Sequence, residues 1–146
     1  LKIDFMDAAR GGEKTVVISG KNRKIRIPAG ADDGTRVRYR DFDVSFDVLA
    51  DSIFKRDGDN VVVNQEIGMV DAALGTTISV PTIDGEVKLK VRPGIQPATL
   101  IRLREKGIPN VRTGRRGDQY VRFMVKIPER LTREQKRLLE ELQEQG

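Results

Sequence analysis

The stretch Asp7-Ala8-Ala9-Arg10-Gly11 decides the fold, because it occurs a second time as Asp71-Ala72-Ala73-Leu74-Gly75. Eleven residues between positions 3 and 40 are identical at this offset of 64, where average amino-acid usage would give about two or three. They are Ile3, Asp7, Ala8, Ala9, Gly11, Val16, Lys24, Gly30, Thr35, Arg38 and Arg40. Two copies of this length indicate two tandem homologous domains, since a solenoid needs at least about three repeats to bury its faces.

A second offset locates the difference between the copies. Beyond position 40 the match resumes at an offset of 77, which pairs Asp41, Val44, Phe46 and Val48 with Asp118, Val121, Phe123 and Val125. The second copy therefore carries 13 additional residues, 105–117. Two antiparallel strands need turn residues between them, so the junction of Arg40 and Asp41 predicts that a loop is missing there or that the first domain closes differently. The chain begins within a strand pattern and without methionine, and we expect it to be a fragment of a longer protein.

Composition excludes several classes of function. A chain of 146 residues in two copies gives two small domains with thin cores. The absence of Cys and His excludes a disulfide framework, a Cys/His zinc site and any catalytic nucleophile or base built on those side chains. No apolar run approaches the roughly 18 residues of a membrane-spanning helix. Residues 11–15 lack the glycine that a phosphate-binding loop places before its lysine, and residues 57–60 lack the spacing of a calcium loop. We therefore expect no enzymatic activity and no cofactor.

The formal net charge of +5 fits an anionic partner. The cations are spread along predicted strands, where they take every second position: Arg36, Arg38, Arg40, Lys88, Lys90 and Arg92. This alternation is typical of antiparallel strands with one face in the core and one in water, and we interpret these side chains as solvated outer faces. The alternative is a nucleic-acid-binding β module that uses the basic faces. The five Phe and two Tyr disfavour it, because several must be core and few are left to stack on bases.

The hydrophobic pattern predicts an all-β fold of two tandem small β-sandwich or barrel-like domains, each with one short helix. Each copy is predicted to contain a strand (1–5, 61–67), a one-turn helix (7–10, 71–74) and a hairpin with its turn at 20–22 or at Asp84-Gly85. The alternation over 41–48 predicts one unbroken strand, which residues 121–127 repeat. The expected division is a first domain at 1–50, a connection at 51–60, a second domain at 61–128 and a C-terminal segment at 129–146.

The C-terminal segment predicts a helix over 132–144. Thr132 and Gln135 have the spacing of a capping box, and an apolar stripe follows at helical spacing, formed by Leu138, Leu139 and Leu142. Isolated helices of this length are marginal. We therefore expect the stripe to pack either on the second domain or on a partner copy.

Short motifs follow one another along the whole chain. The first copy and the connection contain DAARGGEKTV at 7–16, IPAG at 27–30 with Gly34 and Arg38, and IFKRDG at 53–58. The second copy contains VPTIDG at 80–85, KGIP at 106–109 and RGD at 116–118. As an ordered set, these motifs resemble the C-terminal region of DnaJ-family co-chaperones. The resemblance implies two β-rich peptide-binding domains followed by a dimerisation segment.

The resemblance also implies partners and absent parts. It implies binding of unfolded, extended hydrophobic client polypeptides, their delivery to a DnaK-type chaperone, a homodimer and a cytoplasmic location, with no membrane partner. The family's J-domain carries a His-Pro-Asp triad, which a chain without His cannot hold, so this chain is not expected to stimulate the ATPase of such a chaperone. One class of the family inserts a Cys-rich zinc module into the first hairpin, here near Gly20 and Lys21. Zinc is expected only if a longer parent protein carries that module.

Site residues are carried over from the family by position. The implied client groove comprises Leu1, Val16, Ile18 and Val44, where an extended client adds a strand to an exposed sheet edge. Apolar alternation alone is more often explained by plain core packing. Lys14 at the rim is the implied contact for the acidic tail of the partner chaperone, with a solvated surface lysine as the alternative. The implied dimerisation residues are Leu138, Leu139 and Leu142.

Overall fold

A computed structural model describes all 146 residues of the chain. The predicted all-β fold is confirmed, because strands make up 45% of the chain and helices 17%. The sheets are open, and none closes into a barrel. None of the three helices combines the length and apolar character needed to cross a bilayer.

The elements alternate in the same order in both copies. The first copy contains β1 (Lys2–Ile3), α1 (Phe5–Arg10), β2 (Gly12–Ile18), β3 (Lys21–Ile27), β4 (Arg36–Arg38), β5 (Asp43–Ser45) and β6 (Asp47–Val48). The rest of the chain contains β7 (Phe54–Asp57), β8 (Asn60–Gly68), α2 (Met69–Leu74), β9 (Thr76–Thr82), β10 (Gly85–Val91), β11 (Leu100–Leu103), β12 (Gln119–Lys126) and α3 (Arg133–Gln145). Strands β2–β3 and β9–β10 are hairpins, β11-β12-β8-β7 is a four-stranded sheet, and β4 pairs with β5 and β6 with β1.

The duplication extends to strand register and to single hydrogen bonds. In the first copy Val37 faces Val44, and in the second copy Ile101 faces Val121, each at the predicted offset. The parallel pairs correspond in the same way, with Ile3 opposite Val48 and Ile67 opposite Val125. Matching main-chain bonds also tie each loop to its helix, as Gly30 to Ala8 at 2.9 Å and Gly94 to Ala72 at 2.8 Å.

Both short helices begin two residues earlier than predicted, at Phe5 and Met69. In α1 the Asp4 carboxylate accepts the N–H of Asp7 at 2.7 Å, which makes Asp4 the N-cap and ends the strand predicted over 1–5 at Ile3. Both helices end, as predicted, at a glycine with positive φ, 73° at Gly11.

Both hairpin turns lie one residue earlier than predicted. Ile18 pairs with Lys21 in the first copy, so Ser19 and Gly20 form the turn. Their φ values of 52° and 77° fit a type I′ turn, which matches the twist of the strands. In the second copy Thr82 pairs with Gly85, and the turn consists of Ile83 and Asp84.

The junction at Arg40 and Asp41 closes without additional residues. Arg38 pairs with Asp43, and the N–H of Tyr39 donates to the carbonyl of Phe42 at 2.8 Å, so Arg40 and Asp41 are the turn. Of the two predicted alternatives, a missing loop or a different closure of the first domain, the structure has the second. Stacking of the Tyr39 and Phe42 rings, with centroids 4.9 Å apart, compensates for the lack of turn-specific residues.

The strand predicted over 41–48 is divided at Phe46. Its main chain bonds to Thr35 and Gly34 instead of continuing the ladder. The segment therefore pairs first with β4 and then with β1. The predicted alternation of faces is confirmed, because Val44 and Phe46 are buried while Asp43, Ser45 and Asp47 are exposed.

The predicted connection is a structural element of the sheet. Its residues 54–57 form β7, which pairs with β8 at the edge of the four-stranded sheet. Phe54 stacks on Phe5 of α1 with ring centroids 5.5 Å apart. These rings belong to a core cluster that joins both copies: Phe5, Ala9, Phe54, Val61, Val63, Ile83 and Ile108.

Two arginines fix the copies to each other through main-chain carbonyls. Arg56 donates to the carbonyls of Gly30 at 2.9 Å and Ala31 at 2.5 Å, and its side chain is 14% exposed. Arg10 of α1 donates to the carbonyl of Ile83 in the second hairpin at 2.6 and 3.0 Å. Charged donors make hydrogen bonds about twice as strong as neutral ones, so the relative position of the copies is well determined.

The additional segment 105–117 packs on the first copy. A Cβ on Gly30 would lie 1.9 Å from the carbonyl oxygen of Pro109. Only a glycine allows this approach, since real Cβ atoms do not come within 3.0 Å of such an atom. Gly94, the counterpart of Gly30, has open space around it.

Replacement of these two glycines distinguishes the effect of the Pro109 contact on stability from the effect of backbone strain. Gly30 has φ +90° and Gly94 has φ +81°, so alanine is strained at both positions. Only Gly30→Ala also collides with Pro109. We expect Gly30→Ala to lower the free energy of unfolding by about 1–3 kcal/mol more than Gly94→Ala, the range of overpacking costs. Urea denaturation followed by far-UV circular dichroism measures both, and equal losses would contradict a tight contact between the copies.

Candidate functional site

Strand β2 is an edge strand with a free row of main-chain groups. It pairs only with β3, in a two-stranded sheet. In an antiparallel ladder, every second residue directs its N–H and C=O away from the partner. Because Ile18 and Lys21 close the turn, the outward residues of β2 are Glu13, Thr15 and Val17. Such an edge can accept an additional strand.

The two predicted groove residues on β2 lie on one face. Val16 and Ile18 are half-buried, whereas Val17 between them is 69% exposed. Both pack against the core cluster of the first copy, which contains the buried Val44. The structure thus brings Val16, Ile18 and Val44 to one cluster, in which Val44 is buried and the other two are partly exposed.

Leu1 lies next to this cluster. Its main-chain nitrogen donates to the carbonyl of Ser45 at 2.8 Å, and its carbonyl accepts the N–H of Asp47 at 2.9 Å. Leu1 therefore lies opposite Phe46, on the face that also carries Val44. Its side chain is 37% exposed.

The second copy shows the same positions closed. The counterparts of Val16, Ile18 and Val44 are Val80, Thr82 and Val121, and all three are buried. The closed hairpin is held by Arg10 at Ile83, by Gln119, which donates to the carbonyl of Pro81 at 2.8 Å, and by Arg116, which lies 3.0 Å from Asp84.

The first hairpin has none of these holding residues. The residue that corresponds to Arg10 is Leu74, and the residue that corresponds to Gln119 is Phe42. The first copy has no counterpart of the segment that carries Arg116. The tip at Ser19 and Gly20 is exposed. The same fold thus produces one closed and one open hairpin face.

Lys14 lies on the same face as Val16, one strand period away. Its Nζ is 3.8 Å from a carboxylate oxygen of Asp7 in α1, and its side chain is 45% exposed. Asp7 partly compensates the positive charge of Lys14. Exposed pairs of this kind contribute little to stability, about 0–1 kcal/mol, so the ammonium group can exchange Asp7 for another carboxylate.

Comparison with known proteins identifies the family of the chain. The family described as DnaJ C terminal domain matches residues 39–128, more than half of the chain. The chain belongs to this family.

Curated relatives carry the same designation. The chaperone protein dnaJ A6, chloroplastic, of Arabidopsis thaliana is 43% identical over 136 residues, which is 84% of this chain and 31% of that protein. The chaperone protein DnaJ of Clostridium perfringens is 42% identical over 134 residues, which is 82% of this chain and 35% of that protein. The chain thus spans about a third of the length of these relatives. The match identifies a DnaJ-type chaperone C-terminal region.

Helix α3 confirms the predicted capping box and lies partly on the second copy. Thr132 accepts the N–H of Gln135, and the Gln135 side chain accepts the N–H of Thr132, at 3.1 and 2.9 Å. The helix begins at Arg133 and ends at Gln145. On its surface Arg137 forms hydrogen bonds with Glu134 and Glu141, and the bond from Arg137 lowers the pKa of Glu134.

The leucine stripe of α3 is only partly covered. Leu138 and Leu139 line a cavity of about 150 Å³ together with Met69 and Val70 of α2. Leu139 is half-buried, but Leu138 is 50% exposed and Leu142 is 63% exposed. The helix therefore rests on its own chain and still presents two leucines to solvent.

The residues offer no metal site. No three carboxylates lie close enough together to hold an ion. The chain has no Cys or His for zinc.

Pattern reasoning missed the residues that distinguish the two copies. Arg10, Arg56 and Tyr39 make the decisive contacts. The two arginines belong to no alternating apolar pattern, and the alternation that includes Tyr39 does not reveal the hydrogen bond of its hydroxyl. A signal did exist for Arg10, because it is the one residue that differs between Asp7-Ala8-Ala9-Arg10-Gly11 and its second copy. The effect of that difference depends on the hydrogen bonds from Arg10 to the carbonyl of Ile83, 73 residues away.

Proposed function

We propose that this chain is the client-binding part of a DnaJ-type co-chaperone, which holds unfolded or extended hydrophobic segments and delivers them to a DnaK-type chaperone. The observation that carries the proposal is the open face of Val16 and Ile18 beside the free edge of β2. An extended client adds a strand to this edge, and its outward side chains remain in water. The main chain supplies hydrogen bonds that are independent of client sequence, while alternate apolar side chains contact the open face.

The geometry favours weak and reversible binding. Full burial of one Val or Ile side chain contributes about 1.5–3 kcal/mol, and half-buried side chains have less than this left to contribute. Ordering an unfolded client opposes binding by several kcal/mol. A site of this type releases its client without a chemical step, and we propose no catalytic residue in this chain.

Two further contacts belong to the proposal. Lys14 pairs with a carboxylate of the partner chaperone's acidic tail in exchange for Asp7. The exposed Leu138 and Leu142 pack on a second copy and form a homodimer. The two grooves of one dimer bind one client at two places. Once the first groove is occupied, the second binding event is intramolecular, and the high effective concentration of the client at the second groove raises the overall affinity. The division into peptide-binding units at 1–50 and 61–128 and the cytoplasmic location stay predictions.

Strand addition at β2 predicts opposite behaviour of two neighbouring valines. Val16→Asp places a charge on the open face, whereas Val17→Asp places the same charge on the side chain that is already 69% exposed. We expect Val16→Asp to weaken binding of a labelled apolar extended peptide by about tenfold or more, equivalent to about 1.4 kcal/mol, and Val17→Asp to change it little. Fluorescence anisotropy at low and high salt measures both.

Circular dichroism verifies that both valine variants are folded, and Ile18→Ser provides a second and milder change on the same face. Equal affinity of the two valine variants would rule out this groove. Binding that collapses with salt would indicate contacts with charged groups and not with the apolar face.

The leucine stripe predicts a concentration-dependent dimer. Leu138→Glu with Leu142→Glu places two charges on the exposed stripe while Leu139 keeps its contact with α2. We expect this variant to sediment as a monomer at concentrations where the unchanged chain is a dimer, because buried unpaired charge is costly. Analytical ultracentrifugation measures the difference, with Lys136→Glu as a control on another face of α3. A dimer that survives in the double variant would place the interface elsewhere.

A further inference from the structure

One aromatic side chain of the chain lies outside its three core clusters. Six of the seven aromatic residues pack in these clusters or against them: Phe5, Tyr39, Phe42, Phe46, Phe54 and Phe123. The seventh, Tyr120, belongs to none of the clusters. Its side chain is half-buried and takes part in neither of the two stacked ring pairs. Core packing therefore does not explain an aromatic residue at this position.

Tyr120 lies on the outer face of the four-stranded sheet, next to two arginines. Its two neighbours in β12 are fully buried, so Tyr120 and Arg122 share the opposite face. The register places Arg102 of β11 directly opposite Tyr120, and Val62 of β8 on its other side. Both arginines are exposed. Side chains directly opposite each other in a sheet have Cβ atoms about 4.5–5.5 Å apart, so the ring and the guanidinium of Arg102 are within reach of one ligand.

The first copy has a compensated charge at the same position. There Arg38 and Asp43 correspond to Arg102 and Tyr120, and their side chains form an ion pair at 3.6 Å. In the second copy the nearest carboxylate to Arg102 is that of Asp118 in the next turn, at 4.0 Å. The second copy thus has a ring where the first has a carboxylate, and its outer face keeps its positive charge.

This face continues into the most basic part of the chain. Residues 102–116 contain six cationic side chains and one carboxylate, and their net charge of +5 equals that of the whole chain. The first copy has no counterpart of residues 105–116. Four of the six cations form no ion pair: Arg104, Lys106, Arg112 and Arg115.

The turn that carries two of these cations has a fixed conformation. The Asn110 side chain accepts the N–H groups of Arg112 and Thr113 at 2.9 and 3.1 Å, and it donates to the carboxylate of Asp59 at 3.0 Å. Arg112 and Arg115 are exposed on this turn. The contact between the copies explains the turn but not its arginines. Unpaired like charges repel one another, and their fixed position prepares them for an anionic ligand.

We propose that this outer face, together with the basic turn, binds single-stranded nucleic acid. One base stacks on the ring of Tyr120, and the guanidinium groups of Arg102 and Arg122 bind the adjacent phosphates. The phosphate backbone continues along the basic segment to Arg115. Five residues separate Arg115 from Tyr120, so the two lie at most about 18 Å apart. Every base has a flat face, and binding therefore depends little on base sequence.

The ring distinguishes this ligand from other polyanions. In a duplex the bases are stacked on each other, and an acidic polypeptide has no base, so either ligand would use the cations and leave Tyr120 unused. The number of aromatic residues in the sequence does not reveal that the one outside the core lies on a basic face. The site is separate from the groove of Val16 and Ile18 and does not depend on it.

The experiment measures binding of a labelled 12-nucleotide oligothymidylate to the full chain by fluorescence anisotropy. Tyr120→Leu removes the ring and keeps an apolar side chain, and we expect it to weaken binding by about fivefold or more. Tyr120→Phe keeps the ring and should bind like the unchanged chain. Circular dichroism and thermal unfolding verify that each variant is folded.

Salt dependence tests the cations. Each phosphate contact to a single strand contributes about 0.7 to the slope of log affinity against log salt concentration. Arg102→Gln with Arg104→Gln should therefore make the slope shallower by about 1.4. The matched control is the corresponding change in the first copy, Arg38→Gln with Arg40→Gln, which should leave the slope unchanged.

The basic turn and the competing ligands complete the test. Arg112→Gln with Arg115→Gln should reduce the slope as much as the change in β11. Equal binding of Tyr120→Leu and Tyr120→Phe would overturn the proposal, as would an equal effect of the control in the first copy. A duplex of 12 base pairs or a polyglutamate that binds as tightly as the single strand would also overturn it, because charge alone would then be recognised. Val16→Asp should leave the oligonucleotide affinity unchanged, so failure here is distinct from failure of the groove in the first copy.

Discussion

The contact between the main chains of Gly30 and Pro109 is the constraint on which the rest of the structure depends. It brings the additional segment of the second copy against the loop of the first, at a separation that leaves no room for a Cβ. Arg56 adds hydrogen bonds to the carbonyls of Gly30 and Ala31 at the same place. Phe5 and Phe54 continue the contact into a shared core. The two copies are therefore one packed unit, although each is too small to have a thick core of its own.

This contact makes two homologous units different. The first copy has its loop and helix covered, whereas its hairpin tip is exposed and the face of Val16 is partly exposed. The second copy has its hairpin held by Arg10, Arg116 and Gln119, and its loop at Gly94 is uncovered. Each copy thus closes one surface of the other and leaves one of its own open. In this tandem duplication, one fold thus leaves a different surface open in each copy.

The sequence predicted what depends on periodicity and on local chemistry. The repeat, the alternation of faces, the glycines that end α1 and α2, and the capping box of Thr132 and Gln135 are confirmed. Apart from the repeat, these features involve residues within about one turn or one strand of each other. The division of the strand at Phe46 was missed, because it depends on pairing with Thr35 and with β1, which lie in other segments. The closure at Arg40 is one of the two alternatives that the sequence left open, and the contacts between Tyr39 and Phe42 produce it.

The candidate site was predicted only in part. Val16, Ile18 and Val44 share a face because a strand has a period of two. The period does not distinguish an open face from a buried one. Val80 has the same position in the alternation as Val16 and is completely buried. The difference comes from Arg10, Gln119 and the segment around Arg116. Similarly, Tyr39 and Leu103 are apolar residues at corresponding positions. They differ in the hydroxyl of Tyr39, which accepts the main-chain N–H of Arg26.

The most direct test of the account is hydrogen exchange of individual amides with and without an apolar extended peptide, measured by NMR. Strand addition at β2 predicts that the outward amides of Thr15 and Val17 become protected when the peptide binds. In β9 of the closed hairpin, Ser79 corresponds to Thr15 and Pro81 corresponds to Val17. Because proline has no N–H, only the amide of Ser79 can be compared, and its exchange rate should not change when the peptide binds. Protection of Ser79 without protection of Thr15 and Val17, or no protection in either strand, would contradict the central claim that the first copy holds the open edge.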